Sequence, residues 1–183
     1  MSGNDATLAV IDALVALDIN YMIVGSYASN SYGIDRSTLD ADFVVELGEA
    51  SLPELFRRLR PEIRFDPQMG FETVTMTRKH VAEVEGSEFQ IELFQLGDDP
   101  HDRERFHRRH EVQSRGRSMF ILSLEDVIVT KLRWARSKDK DDVRDVIAVQ
   151  GQERIDWAYV HRWTDQHGTT ALLDEIRRSI PPL

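Results

Sequence analysis

Apolar residues recur at helical spacing at Leu8, Ile11, Leu14, Val15 and Leu17, which predicts a first helix with one buried stripe, capped by Asn4 or Asp5. Asp18-Ile19-Asn20 ends it. The unbroken apolar run Tyr21-Met22-Ile23-Val24 then predicts a short buried strand closed at Gly25. Ser26 to Tyr32 accommodates one or two helical turns ending at Gly33, and Ile34 to Leu39 reads as a connector carrying Arg36. Asp40 to Val45 alternates as a strand. That alternation puts Asp40 and Asp42 on one face, roughly 6 to 7 Å apart along the chain.

Further on, Ser51-Leu52-Pro53-Glu54 has capping-box spacing and starts a helix from Leu52 to Arg60, stopped by Pro61, with Leu55, Phe56 and Leu59 inward. Glu72 to Arg78 and His80 to Glu85 both alternate, which predicts a hairpin about Arg78-Lys79-His80, and Gly86-Ser87 turns the chain again. Phe89 to Phe94 is a further strand, with Gln90, Glu92 and Phe94 sharing a face. A lone carboxylate mid-strand is costly to bury, so Glu92 calls for an open face or a partner.

Gly97-Asp98-Asp99-Pro100 marks a break, after which His101 to Arg117 is rich in Arg and His. Met119 to Leu122 is a short apolar segment, and Ser123 caps a helix with Val127, Ile128, Leu132 and Ala135 inward. Ser137 to Asp142 reads as an interruption, followed by helices over Val143–Val149, Asp156–Gln166 and Thr170–Ile180, before Pro181-Pro182. The pattern describes an α+β chain: an α/β core over 1–97, a short mixed sheet flanked by helices, and a mainly helical lobe over 98–183 packed against it.

Composition narrows the class. With 183 residues, 41% hydrophobic and 30% charged, the chain is long enough for a real core and ordinary for a globular protein. No apolar run reaches the roughly 18 to 20 residues a membrane span needs, and the first residues lack the features of a signal peptide. The absence of cysteine excludes disulfides and thiolate metal sites and fits a reducing, cytoplasmic setting. A net charge of −9 argues against broad nucleic-acid binding, which needs an excess of Lys and Arg. Basic clusters at Arg57–Arg64, Arg103–Arg117 and Lys131–Arg144 read as solvated helix faces. His101, His107 and His110 have no metal spacing and read as surface residues of a basic helix, while Trp134, Trp157 and Trp163 read as core or lobe-interface aromatics.

Asp-x-Asp on a strand, a third carboxylate from a later strand and an upstream Gly-Ser turn form a device for two-metal phosphoryl or nucleotidyl transfer. Mg²⁺ prefers a few carboxylates plus phosphate and water over a full protein cage. Backbone N–H groups of Gly25 and Ser26 at a helix start suit a phosphate, although Gly25 also simply permits a tight turn and Ser26 a cap.

Ile23-Val24-Gly25-Ser26 followed by Asp40-Ala41-Asp42-Phe43-Val44-Val45 resembles the signature of the DNA polymerase β-type nucleotidyltransferase superfamily. Arg36-Ser37-Thr38-Leu39-Asp40 further resembles the form seen in AbiEii-like toxin and minimal nucleotidyltransferases, as does Glu125 to Leu132 followed by Lys140-Asp141 and Asp145-Val146. The resemblance implies a nucleotidyltransferase fold and transfer of NMP from an NTP to a hydroxyl of an RNA 3′ end such as tRNA, a protein side chain or a small molecule. It implies Mg²⁺ or Mn²⁺ held by Asp40, Asp42 and Glu92. Nucleotide contacts fall to Gly25, Ser26, Arg36, Lys131 and Lys140, and an antitoxin is an implied partner. A tRNA 3′ end or a protein is the first acceptor on this reading; a noncatalytic nucleotide-binding or regulatory member of the fold, or a small-molecule (antibiotic-type) adenylyltransferase, is the alternative. The third position is often Asp, so Glu92 departs from the pattern and Gln90 competes for it. Arg36 alternatively pairs with Asp40 or Asp42, Lys131 alternatively snorkels, and Lys140, Asp141, Arg144 and Asp145 alternatively form surface pairs.

Overall fold

Strands apolar on both faces belong in the middle of a sheet covered on both sides, and β1 (Asn20–Val24) and β2 (Asp40–Glu46) take that place. The computed structural model describes residues 1–48, 52–66, 68–114 and 116–181. Its strands also include β3 (Ile63–Phe65), β4 (Gly70–Glu72), β5 (Thr77–Val84), β6 (Gln90–Gln95), β7 (His110–Ser114) and β8 (Arg117–Ile121). They form one mixed sheet in the order β3-β5-β6-β2-β1-β8-β7, with β4 paired to β5. β2 runs antiparallel to β1 and parallel to β6, and that parallel register sets Asp40 against Gln90 and Asp42 against Glu92.

Strand alternation sorts the apolar residues into two cores. Tyr21, Ile23, Ala41, Phe43, Val45, Ile91 and Leu93 point to the face covered by α1 (Gly3–Ala16) and α3 (Leu52–Arg58). Met22, Val24 and Val44 point to the opposite face, towards α5 (Leu124–Trp134), α6 (Ser137–Gln150), α7 (Trp157–His167) and α8 (Thr170–Ser179). Asp40, Asp42 and Glu92 follow the parity of Val44 and therefore face the second helical layer. The short α2 (Gly25–Asn30) joins β1 to the connector, and α4 (Pro100–His107) leads into the β7–β8 hairpin. Among the described residues no helix is long and apolar enough to cross a membrane.

Several local expectations are corrected. Ser2, not Asn4 or Asp5, caps α1, in a reciprocal box with Asp5, and Val15 is 63% exposed while Val10 is buried. The hairpin before β5 turns at Thr73–Met76 rather than Arg78–His80, because the Glu72 carboxylate accepts hydrogen bonds from the N–H groups of Val74 (2.7 Å) and Thr75 (2.6 Å). Arg78, Lys79 and His80 therefore lie within β5. The Arg/His-rich stretch is not one surface helix: α4 occupies its start, β7 was not foreseen, and His101 is fully buried whereas His107 and His110 are exposed. Ser137 to Asp142 is the first part of α6, not an interruption. The proposed cap at Ser51 and the final Pro182 lie outside the described residues.

The two faces make a contrast that can be measured. Phe43 is fully buried against Tyr21, so Phe43→Ala should cost about 3–5 kcal/mol in urea unfolding. Val15→Ala, on the exposed side of α1, should stay within about 0.5 kcal/mol.

Candidate active site

The end of β1 delivers the chain into a tight turn at Gly25, whose φ is +63°. A Cβ there would stand 1.8 Å from Oδ2 of Asp42, so only glycine lets the backbone pass this close to the carboxylate. Ser26 follows, buried, with Ser29 donating to its carbonyl. Asp40 and Asp42 on β2 and Glu92 on β6 open into the same cleft, roofed by Lys131 of α5 and by Arg136, Lys138 and Asp139 at the start of α6. Gly25 and Ser26 line it too, and its volume is about 210 Å³. Gln90, the competitor for the third position, is exposed and stands outside the lining.

Three carboxylates on one sheet face repel one another, and each meets the repulsion differently. Asp40 accepts a hydrogen bond from the Thr38 hydroxyl. Glu92 accepts from Nζ of Lys79 at 2.9 Å, across the β5–β6 pair. Asp42 has neither aid: burial first, then the charges of Asp40 and Glu92, push its carboxyl up to about 7, against the opposing pull of Lys131 and Lys138. An oxygen-only, charge-dense donor set of this kind fits a hard divalent cation.

Behind the cleft runs a chain of ion pairs. Arg36 grips Asp142 with two parallel hydrogen bonds, both 2.9 Å, and lies 3.4 Å from the Ser26 hydroxyl. Asp142 also meets Lys131 at 2.6 Å, Lys131 meets Asp139 at 3.3 Å, and Asp139 meets Arg136 at 2.6 Å. Despite the cost of burial, hydrogen bonds from Arg36 and Lys131 hold Asp142 below the usual carboxylate range, and the bond to Asp142 raises Arg36. A buried charge is stable only when partnered this way.

Of the residues picked out from sequence, the cleft brings together Gly25, Ser26, Asp40, Asp42, Glu92 and Lys131. Arg36 sits behind Ser26, bound to Asp142 rather than to Asp40 or Asp42. Lys131 is buried and paired rather than snorkelling. Lys140 is outside the lining, and Asp141 makes only a surface pair with Arg144. Lys79, Phe94, Trp134, Arg136, Lys138 and Asp139 were missed. For Asp139 and Asp142 a signal existed: together with Val143, Val146 and Ile147 they form one helical face, legible once α6 starts at Ser137.

The family described as "Nucleotidyl transferase of unknown function (DUF2204)" matches residues 4–174. No curated protein matches the chain's sequence. Among solved structures, the solution structure of the antibiotic-resistance factor ANT(2'')-Ia is similar with a TM-score of 0.62 at 16% identity, covering 97% of this chain and 99% of that one. The same factor in complex with adenylyl-2''-tobramycin gives 0.61 at 15% identity, over 92% and 99% of the two chains. The lincomycin-bound lincosamide antibiotic adenylyltransferase LnuA gives 0.51 at 12% identity, over 79% and 96%. At such identities the likeness is one of fold, and it agrees with the mixed sheet and helical layers of this chain.

The raised Asp42 carboxyl has a consequence for stability. A folded-state value near 7 against about 4 unfolded means that, without metal, stability falls as pH rises between those values and stays low above them. Asp42→Asn removes the penalty. The variant should melt above metal-free wild type by at least about 2–4 °C at pH 8, the shift that 1 kcal/mol makes in a chain of this size. The gap should widen from pH 5 to about pH 7 and then stay level; a gap independent of pH would contradict the assignment.

Proposed function

This chain belongs to the DUF2204 nucleotidyl transferase family, and we propose that it transfers NMP from an NTP to the hydroxyl of a small-molecule acceptor in the cleft of Asp40, Asp42 and Glu92. The observation that carries the proposal is the convergence of these carboxylates with Gly25 and Ser26 in one cleft. In this reading residues 1–97 supply the carboxylates and the phosphate-binding turn, and 98–183 supply the opposing wall.

Asp40, Asp42 and Glu92 would hold Mg²⁺ or Mn²⁺, which when bound neutralises the triphosphate and makes the acceptor hydroxyl easier to ionise. The acceptor oxygen forms a bond to the α-phosphorus, the bond from that phosphorus to the bridging oxygen breaks, and pyrophosphate leaves. In this reading Glu92 receives the hydroxyl proton, its carboxylate paired with Lys79 until a metal takes the place of that bond. Gly25 and Ser26 contact the departing phosphates. Lys138 lines the same cleft as a cation for the nucleotide, with Arg136 beside it paired to Asp139. Lys131 acts by fixing Asp139 and Asp142, and Arg36 by holding Ser26 against α6. Phe94, Leu122, Val127 and Trp134 give the cleft an apolar wall for a compact substrate.

The choice of a small acceptor over RNA rests on where the arginines go. Arg103 pairs with Glu46 and Asp98, Arg105 with Asp102, Arg108 with Glu125 and Asp126, and Arg117 with Asp12. A basic track for a phosphate backbone needs cations that are not already spent on carboxylates. A toxin acting on tRNA or on a protein, with an antitoxin partner, draws no support from that arrangement.

Incubation with each α-labelled NTP and Mg²⁺ tests this, with hydroxylated small molecules including aminoglycosides and lincosamides, total tRNA, or protein extract as separate arms. Label should move to a small molecule. Asp42→Ala, still folded, should lower the rate by about 10²–10³-fold or more. An unchanged rate in that variant would sink the catalytic role, and label on tRNA alone would overturn the acceptor class.

A further inference from the structure

A second group of ligating side chains lies away from the cleft, where the start of α4 meets the end of α7. Asp99, His101 and His167 each offer a ligand atom, and these atoms lie within 4.8 Å of one another. None of the three lines the cleft. We propose that they form a binding site for a transition-metal dication of the zinc type, separate from the catalytic carboxylates, with water completing the coordination.

The argument begins with His101, which is fully buried. Its Nε2 lies 3.1 Å from Oδ1 of Asp126. Asp126 also accepts from the hydroxyls of Ser123 and Tyr159, and Nε of Arg108 stands 3.3 Å from its Oδ2. A carboxylate already ringed by donors accepts, so His101 donates to it through Nε2 and turns Nδ1 the other way. That Nδ1 is buried and has no hydrogen-bond partner among the described residues, and the same holds for Nδ1 of His167. Burying an unsatisfied polar atom costs free energy, and two of them belong to histidines whose ligand atoms gather with that of Asp99. A carboxylate behind an imidazole that turns its second nitrogen outward is the arrangement by which proteins orient metal-bound histidine.

The remaining parts agree. His167, the last residue of α7, holds its ring centroid 5.0 Å from that of His101. Asp99 caps α4 by accepting from the N–H groups of His101 (3.0 Å) and Asp102 (3.2 Å), and its side chain is 41% exposed, which leaves a way in for ion and water. Arg133 stands 3.9 Å from the Asp99 carboxylate and must give way on loading; Asp102, at 4.0 Å, is its alternative partner. Two nitrogens, one oxygen and an open position suit zinc-type ions rather than Mg²⁺. Ligands of a tetrahedral zinc at about 2.0–2.1 Å lie roughly 3.3 Å apart, so loading draws the group inward by about 1 Å. A bound ion would pin α4, which carries the cleft residues Asp102 and Arg105, to α7.

The test uses the full-length, metal-stripped protein dialysed against Zn²⁺ or Co²⁺ alone, with bound metal and melting temperature as readouts. Asp42→Asn is included so that binding in the cleft is not counted. One equivalent of Zn²⁺ and a rise in melting temperature should appear in wild type and in Asp42→Asn. His167→Ala should lose the equivalent. Asp99→Asn, which keeps a capping side chain, should bind at least about tenfold more weakly, since losing even an outer partner costs 10–100-fold. Co²⁺ should give the absorption of a tetrahedral complex in wild type only while His167 is present. Zinc retained by His167→Ala in the Asp42→Asn background, or absent from Asp42→Asn itself, would overturn the proposal and leave the proposed transferase reading untouched.

Discussion

Parallel pairing of β2 with β6 is the constraint on which the site depends. It sets Asp42 beside Glu92, and strand alternation adds Asp40 to the same face. Adjacent strands lie about 4.8 Å apart, so the sheet forces like charges together before any ligand is considered. The chain answers with Thr38 for Asp40, Lys79 for Glu92 and a raised carboxyl for Asp42. The repulsion keeps negative charge concentrated on one face of the sheet, as the proposed transfer requires. Gly25 belongs to the same arrangement, because the close approach of its backbone to Asp42 leaves no room for a Cβ.

The helical layer gives this charged face its second wall. The ion chain from Arg36 through Asp142, Lys131 and Asp139 to Arg136 ties the connector before β2 to α5 and α6. Its interior members Asp142, Lys131 and Asp139 each meet two groups of opposite charge, so these buried charges are compensated from both sides. Lys131, to which the resemblance assigns a nucleotide contact, lines the cleft and pairs with Asp139 and Asp142. The cations lining the cleft beside it, Arg136 and Lys138, sit at the start of a helix whose beginning the apolar pattern does not mark.

How much of this was legible follows from which signals are local. β1, β2 and the shared face of Asp40 and Asp42 could be read because alternation and a glycine turn are written in consecutive residues. So could the Ser123 cap of α5. The hairpin at Thr73–Met76 could not, since Thr73 to Thr77 continues the alternation and only the Glu72 side chain decides where the chain turns. β7 was hidden because His110 to Ser114 is polar and acquires its strand character from pairing with β8. His101 looked like a surface residue until the fold put Asp126 and Trp163 around it. Partners distant in sequence, such as Lys79 for Glu92 and Asp142 for Arg36, are set by tertiary packing and leave no local trace.

Anomalous diffraction from crystals grown with Mn²⁺ and a non-hydrolysable NTP would decide whether the cleft gathers its carboxylates around metal. Manganese bound by Asp40, Asp42 and Glu92, with Glu92 released from Lys79 and the triphosphate against Gly25 and Ser26, is the result the structure predicts. A bound nucleotide with no manganese at these carboxylates, and with Glu92 still on Lys79, would contradict it.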